Sequence, residues 1–226
     1  MLNHGKVGER REGVTAFSNS HVHEAKIRHG CSQAIGELLA WRRILFELRL
    51  IGRQADRYDG AGYGNISARQ KPYGQPKARR QFIITGTQTG HLATLGEHHL
   101  TLVSTYCSPT NHVTSIGPIR PSSESMTHGA VYDLTPSIRA VFHVHSPVIW
   151  RKRAQLTLPT TDASIEYGTP EMAEAVRVMA RQTALLDHGC FAMGGHEDGI
   201  VSFGRSIEDA GTRLMSLLAR AYSSLP

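Results

Sequence analysis

The run Ala140-Val141-Phe142-His143-Val144-His145-Ser146 carries two histidines two positions apart. In an extended strand side chains i and i+2 share a face, so both imidazoles point the same way while Val141 and Val144 anchor the strand. That is half of a metal site. A catalytic divalent centre takes about three nitrogen or oxygen ligands, leaves one position for substrate and keeps an acid or base at hand. His196, in the turn Gly194-Gly195-His196-Glu197-Asp198-Gly199, offers a third imidazole. Glu124, 143 − 124 = 19 positions before the first histidine, offers a carboxylate for proton transfer.

Each of these residues also has a plainer reading. His143 and His145 fit an ordinary half-buried strand, and Glu124, in Pro121-Ser122-Ser123-Glu124, fits the first turn of a helix as a partner of its dipole. His188-Gly189 reads as a helix C-terminus, which makes His188 a dipole partner and a rival to His196 as third ligand. Thirteen histidines in 226 residues make chance groupings easy. His91, His98, His99, His112 and His128 read as surface or structural residues. His21-Val22-His23-Glu24 repeats the spacing in polar surroundings and reads as a solvated segment.

Two loops could cradle an anion. Asp59-Gly60-Ala61-Gly62-Tyr63-Gly64-Asn65 is dense in glycine, which lets backbone N–H groups approach a ligand closely, although a plain hairpin turn would look similar. Gly86-Thr87-Gln88-Thr89-Gly90 adds hydroxyls after the strand Phe82-Ile83-Ile84-Thr85.

The elements that must position these groups follow from periodicity. Ile35, Leu38, Leu39, Ile44, Leu45, Leu48 and Ile51 predict a helix from Ser32 to Gly52. A short alternating strand follows Gly64, and further strands fall near 100–106 and 113–116. Helices are expected from Pro121 to about Pro136, over 148–158, from Pro170 through Leu186, and from Ser206 onward, with a hairpin of 190–193 and 200–203 around His196. Residues 1–30 are polar and aperiodic and read as a loosely ordered leader, with one mixed α/β domain over 31–226.

Composition narrows the function classes. The net charge of +6 comes from 25 Lys+Arg against 19 Asp+Glu, dispersed or in short groups such as Lys77 to Arg80, which suits an anionic substrate better than a nucleic acid. Three well-separated cysteines, Cys31, Cys107 and Cys190, argue against a disulfide framework, and no long apolar run suggests a membrane span or secretory signal. A cytoplasmic protein is expected.

Taken together, Gly64-Asn65-Ile66-Ser67, Ile84-Thr85-Gly86-Thr87, Pro121-Ser122-Ser123-Glu124, His143-Val144-His145 and Tyr167-Gly168-Thr169-Pro170-Glu171 resemble the class II aldolase/adducin family. The resemblance spans roughly residues 32 to 222 and is nearest the branch containing L-fuculose-phosphate aldolase, which has the same interval between Glu124 and His143. It implies a three-layer αβα fold, a central, mostly antiparallel sheet flanked by helices, and a homo-oligomer, commonly a tetramer. It further implies that His143, His145 and His196 bind zinc or another divalent metal, that Glu124 shuttles protons, and that Asn65, Thr87, Ser122 and Ser123 form a phosphate cradle. The implied reaction is retro-aldol cleavage of a small, phosphorylated ketose. Dehydration, epimerisation or decarboxylation of a sugar phosphate, and a non-catalytic adducin-like scaffold, remain as alternatives. The catalytic tyrosine of the fuculose branch has no clear counterpart, since Tyr167 belongs to another motif and nothing beyond residue type marks Tyr222.

Overall fold

The structure, a computed structural model, describes residues 17–27 and 32–223. Its centre is an eight-stranded sheet. From one edge the order is β1 (Ser18–His23), β7 (His112–Gly117), β6 (Leu100–Cys107), β5 (Phe82–Thr85), β4 (Asn65–Arg69), β8 (Ala140–His145), β10 (Gly199–Gly204) and β9 (Cys190–Ala192). Every neighbouring pair is antiparallel except β1 and β7. A two-stranded ribbon of β2 (Gly52–Arg53) and β3 (Gly62–Tyr63) leads into β4. The helices are α1 (Ser32–Glu47), α2 (Ser125–Tyr132), α3 (Pro147–Arg151), α4 (Pro170–Gln182), α5 (Leu185–His188) and α6 (Ile207–Ser223).

Alternation along the strands divides the apolar residues into two layers. Val141, Phe82, Val103 and Val201 meet Met126, Ala130 and Val131 of α2, Met172 and Val176 of α4, and Leu185 of α5. On the other face Ile66, Phe142, Val144 and Ile200 meet Leu38 and Leu45 of α1, Ile149 of α3, and Leu214 and Leu217 of α6. The sheet is therefore covered on both sides, giving the three-layer αβα arrangement. Val141 and Val144 do anchor β8, but into opposite layers. Each fully buried side chain of this size contributes roughly 1.5–3 kcal/mol. No helix among the described residues is long and apolar enough to cross a membrane.

The polar stretch before residue 31 is partly built into the sheet. Ser18–His23 runs parallel to β7, with Ser18 Oγ 2.8 Å from His112 Nδ1 and His21 Nδ1 2.9 Å from Ser115 Oγ. An edge strand needs backbone pairing rather than an apolar face, so its polar sequence carries no periodic signal. His21 and His23 thus stand at the sheet edge; the rest of the expected leader, 1–16 and 28–30, lies outside the described residues. The α1 helix stops at Glu47 because Arg49 takes a left-handed φ of 57° and the Leu50 and Ile51 N–H groups both donate back to Leu45 O, tucking those apolar residues under the helix. The helix expected over 148–158 ends at Arg151 and continues as turns to a left-handed Thr157. At Gln182 α4 gives way to the one-turn α5, where the Thr183 hydroxyl donates to Met179 O. The helix start falls later than expected at α2: Glu124 is its N-cap residue rather than part of its first turn.

Two packing details make testable claims. Gly211 of α6 faces Trp41, and a Cβ built there would lie 2.5 Å from the indole ring. Helix propensity alone would make Gly211→Ala stabilising by about 1 kcal/mol. The expected result is the opposite, a lowered denaturant midpoint, and a raised midpoint would show that the α1–α6 contact is looser than described. His128, inside α2, is fully buried with its Nδ1 2.7 Å from Ser67 Oγ, which lies 2.7 Å from Tyr132 OH. Burial pulls its pKa down to about 3 from 6.5. The unfolded chain then takes up a proton that the folded chain refuses. This stabilising contribution is whole above pH 6.5 and is lost as pH falls toward 3. Replacing His128 by Gln should flatten the acid side of the stability profile of the metal-free protein relative to wild type; identical slopes would count against a neutral buried imidazole.

Candidate functional site

Because β8 lies between β4 and β10 and is covered on both faces, everything on it is buried. His143 and His145 alternate with Phe142 and Val144 and so share the Val141 face. Their Nε2 atoms lie 3.2 Å apart. The turn between β9 and β10 brings in His196, whose Nε2 lies 2.9 Å from His145 Nε2. That turn is pinned closely. The Gly194 N–H donates to Thr161 Oγ1, and a Cβ on Gly194 or Gly195 would meet the backbone of 161–165 at 2.1 and 2.3 Å. Gly199 N–H closes the turn onto His196 O, and Ser146 N–H donates to Asp198 O, tying the turn to the end of β8.

The three imidazoles are at most 3% exposed. Burial first, and then the neighbouring His196, hold His143 and His145 well below the ordinary imidazole pKa. They are neutral at physiological pH, which is the form that binds metal. Two facing ring nitrogens of neutral imidazoles share at most one proton, so this nitrogen-to-nitrogen packing is better satisfied around a cation. Ligand nitrogens about 2.05 Å from a tetrahedral zinc would be separated by about 3.3 Å. The observed 3.2 and 2.9 Å are close to that edge, and one ligand atom from each of the three residues falls within 4.8 Å of the others. The residues present therefore fit a divalent ion. His188 ends α5 at the left-handed Gly189, exposed and away from this cluster.

Glu124 is 2% exposed, with Oε1 4.0 Å from His196 Nδ1. It stands at the N-cap position of α2 without a side-chain capping bond to that helix among the described residues. Ser122 Oγ accepts the Glu124 N–H at 3.3 Å, and the Ser125 hydroxyl donates to Ser122 O at 2.8 Å, which fixes the entry to the helix.

Asn65, Thr87, Ser122 and Ser123 line one small polar cleft, together with glycines 62, 64, 86 and 90. Gly64 at φ +77° turns the chain into β4, where a Cβ would lie 2.7 Å from Ile51. Asn65 then pairs in register with His143, so the cleft adjoins the histidine cluster across one strand gap. The Asn65 Oδ1 is buried, with no hydrogen-bond partner among the described residues. The hydroxyl loop is joined to the serine segment by a bridge between Gly86 and Pro121 and by Thr87 N–H donating to Arg120 O.

Several residues around the cluster carry no sequence signal. Tyr58 sits edge-on to His145, 4.6 Å between ring centres, and its hydroxyl donates to Asp198 Oδ2 at 2.6 Å. Burial, then Asp198, raises the Tyr58 pKa. Arg57 reaches the same carboxylate oxygen at 3.4 Å, and Tyr63 packs 5.3 Å from His145. Tyr167, known from its motif alone, stands edge-on to His196 at 4.6 Å. Tyr222 is 57% exposed on α6.

Comparison with known structures finds the same fold. An L-fuculose 1-phosphate aldolase superposes with a TM-score of 0.63 at 17% identity, covering 86% of each chain. An L-fuculose-1-phosphate aldolase from Thermus thermophilus gives 0.59 at 22% identity, over 84% of this chain and 91% of the other. A sugar-phosphate aldolase from Thermotoga maritima gives 0.62 at 16%, over 84% and 93%. No curated protein matches the sequence at a significant level. The sequence profile of the class II aldolase and adducin N-terminal domain matches residues 49–223, and the chain belongs to that family.

Proposed function

We propose that the protein is a zinc-dependent aldehyde-lyase that cleaves a small phosphorylated ketose by a retro-aldol reaction. The observation that carries this reading is the Glu124 carboxylate lying 4.0 Å from one of three buried, converging imidazoles, with a hydroxyl-lined cleft one strand away through the Asn65–His143 pair. A purely structural domain has no physical need to bury a carboxylate there.

His143, His145 and His196 hold the divalent ion. When bound, it would supply Lewis acidity that withdraws electron density into the substrate carbonyl as the bond between the carbons α and β to that carbonyl breaks. Asn65, Thr87, Ser122 and Ser123 hold the phosphate and so fix the distance of the sugar carbons from Glu124. The Glu124 carboxylate carries the proton to and from the carbon beside the carbonyl. Tyr58, Tyr63 and Tyr167 wall the cluster with aromatic edges and exclude bulk water. Asp198 fixes the Tyr58 ring by accepting its hydroxyl proton in a hydrogen bond. The same reading takes residues 31–226 as one domain, the working form as a homotetramer and the compartment as the cytoplasm, in keeping with free thiols at Cys107 and Cys190.

Purified protein should contain close to one divalent ion per chain. The double variant His143→Ala/His145→Ala should lose it, and full metal content in that variant would remove the assignment. A panel of phosphorylated and unphosphorylated ketoses, scored for release of glycolaldehyde- or dihydroxyacetone-type products, tests the reaction. On the substrate so found, Glu124→Gln should keep its metal while turnover falls by about 10²–10³ or more. Turnover equal to wild type would take Glu124 out of the mechanism.

A further inference from the structure

Arg42, on α1, is 1% exposed, and its guanidinium reaches the back of the loop that lines the hydroxyl cleft. One terminal nitrogen donates to Thr89 O at 3.0 Å and Gly90 O at 3.2 Å, and the other to Leu92 O and to Ala93 O at 3.1 Å. Among the described residues no carboxylate forms an ion pair with it; the Phe46 ring lies 4.9 Å from the guanidinium carbon, and Arg43 and His99 are near enough to interact with its charge. A buried cation satisfied by neutral carbonyls keeps its whole charge, whereas one paired with a carboxylate would present almost none to its surroundings. The carbonyls also matter for direction. Across a trans peptide the C=O of one residue and the N–H of the next point opposite ways. Drawing the Thr89 and Gly90 carbonyls toward Arg42 therefore turns the Gly90 and His91 N–H groups the other way. The Gly90 nitrogen is accordingly found on the side of Gly62, 3.5 Å from where a Gly62 Cβ would stand, and both glycines line the cleft.

We infer that Arg42 is a positioning residue for anion binding: without touching the ligand, it aims the loop's N–H dipoles into the cleft and supplies an uncompensated positive charge behind them, so that the cleft prefers a doubly charged phosphate over an uncharged sugar hydroxyl. This rests on the cleft being the phosphate site proposed above. The contribution acts through charge as well as through the carbonyl clamp, and the two are separable by substitution. Arg42→Lys keeps the charge but not the four-acceptor fork. Phe46→Glu, one helical turn along α1, adds a counter-charge while leaving Arg42 and its clamp in place.

The test is calorimetric titration of the metal-loaded protein with inorganic phosphate, with bound metal and thermal midpoint read for every variant. Arg42→Met is expected to lower phosphate affinity roughly tenfold or more with metal content unchanged, and Arg42→Lys to recover most of it. Phe46→Glu is expected to weaken phosphate binding roughly threefold to tenfold, while Phe46→Gln binds as wild type. Should Arg42→Met fail to fold, the position-46 pair decides alone. Equal affinities for Phe46→Glu and Phe46→Gln, or an Arg42→Lys protein as weak as a folded Arg42→Met, would overturn the role of the charge. Wild-type protein that holds its metal yet binds no phosphate would overturn the cleft assignment itself, an outcome distinct from variants that bind as tightly as wild type, which would overturn Arg42 alone.

Discussion

The structure depends on the pleat of one strand that is buried on both faces and paired on both edges. In β8 the period of two sends Phe142 and Val144 into the layer under α1 and α6, and sends His143 and His145 to the opposite side with Val141. A slip of one residue would put two imidazoles into an apolar layer and two large hydrophobic side chains into the site. Register is therefore enforced by the core, and the site inherits that precision. Asn65 opposite His143 on β4, and Gly199 opposite His145 on β10, are placed by the same ladder. The residues that would bind an ion and those that would bind an anion are thus held to one another through backbone hydrogen bonds rather than through flexible side chains.

Burial also decides the protonation of the cluster. Removing His143 and His145 from water penalises the imidazolium, so the nitrogens are delivered neutral without needing a counter-ion. The same desolvation acts on His128 beneath them, where Ser67 supplies the partner. The turn bearing His196 shows how loop residues reach comparable rigidity. Two glycines permit contact with 161–165, a left-handed Asp198 at φ 61° reverses the chain, and its carboxylate receives Tyr58 and Arg57 from the loop before β3. Asp198 in this turn thereby binds the two loops together.

Much of this arrangement is legible in the residue order. The period-two histidines, the serine-glutamate helix entry and the paired glycine and hydroxyl loops each correspond to a local structure, and their order along the chain identifies the family. The polar edge strand Ser18–His23 was not legible, because its pairing with β7 relies on backbone groups and on side chains 94 positions away. Helix ends were misplaced where tertiary contacts overrode propensity, as at Arg49 and Thr157. Tyr58 escaped, and Tyr63 and Asp198 carry no role in the sequence reading although their loops stand out, because proximity to His145 arises only when two loops fold together. Arg42 was hidden in the same way, inside a stripe of α1 whose periodicity speaks only of apolar contact.

The distribution of charge gives these parts a common sense. Three neutral ligands would leave a divalent ion its full charge, in contrast to carboxylate ligands, which would cancel much of it. Glu124 adds a buried carboxyl group beside the cluster, Asp198 is matched by Arg57, and Arg42 adds a buried positive group behind the adjacent cleft. With an ion bound, the interior around the two sites is thus weighted toward positive potential in a low-dielectric setting, where fixed charges act more strongly than in water. On the proposed reading, negative charge developing on a carbonyl oxygen during C–C cleavage and negative charge carried by a phosphate would be stabilised by the same field. A carboxylate placed at the edge of that field, as Glu124 is, can then act as a proton carrier without neutralising it.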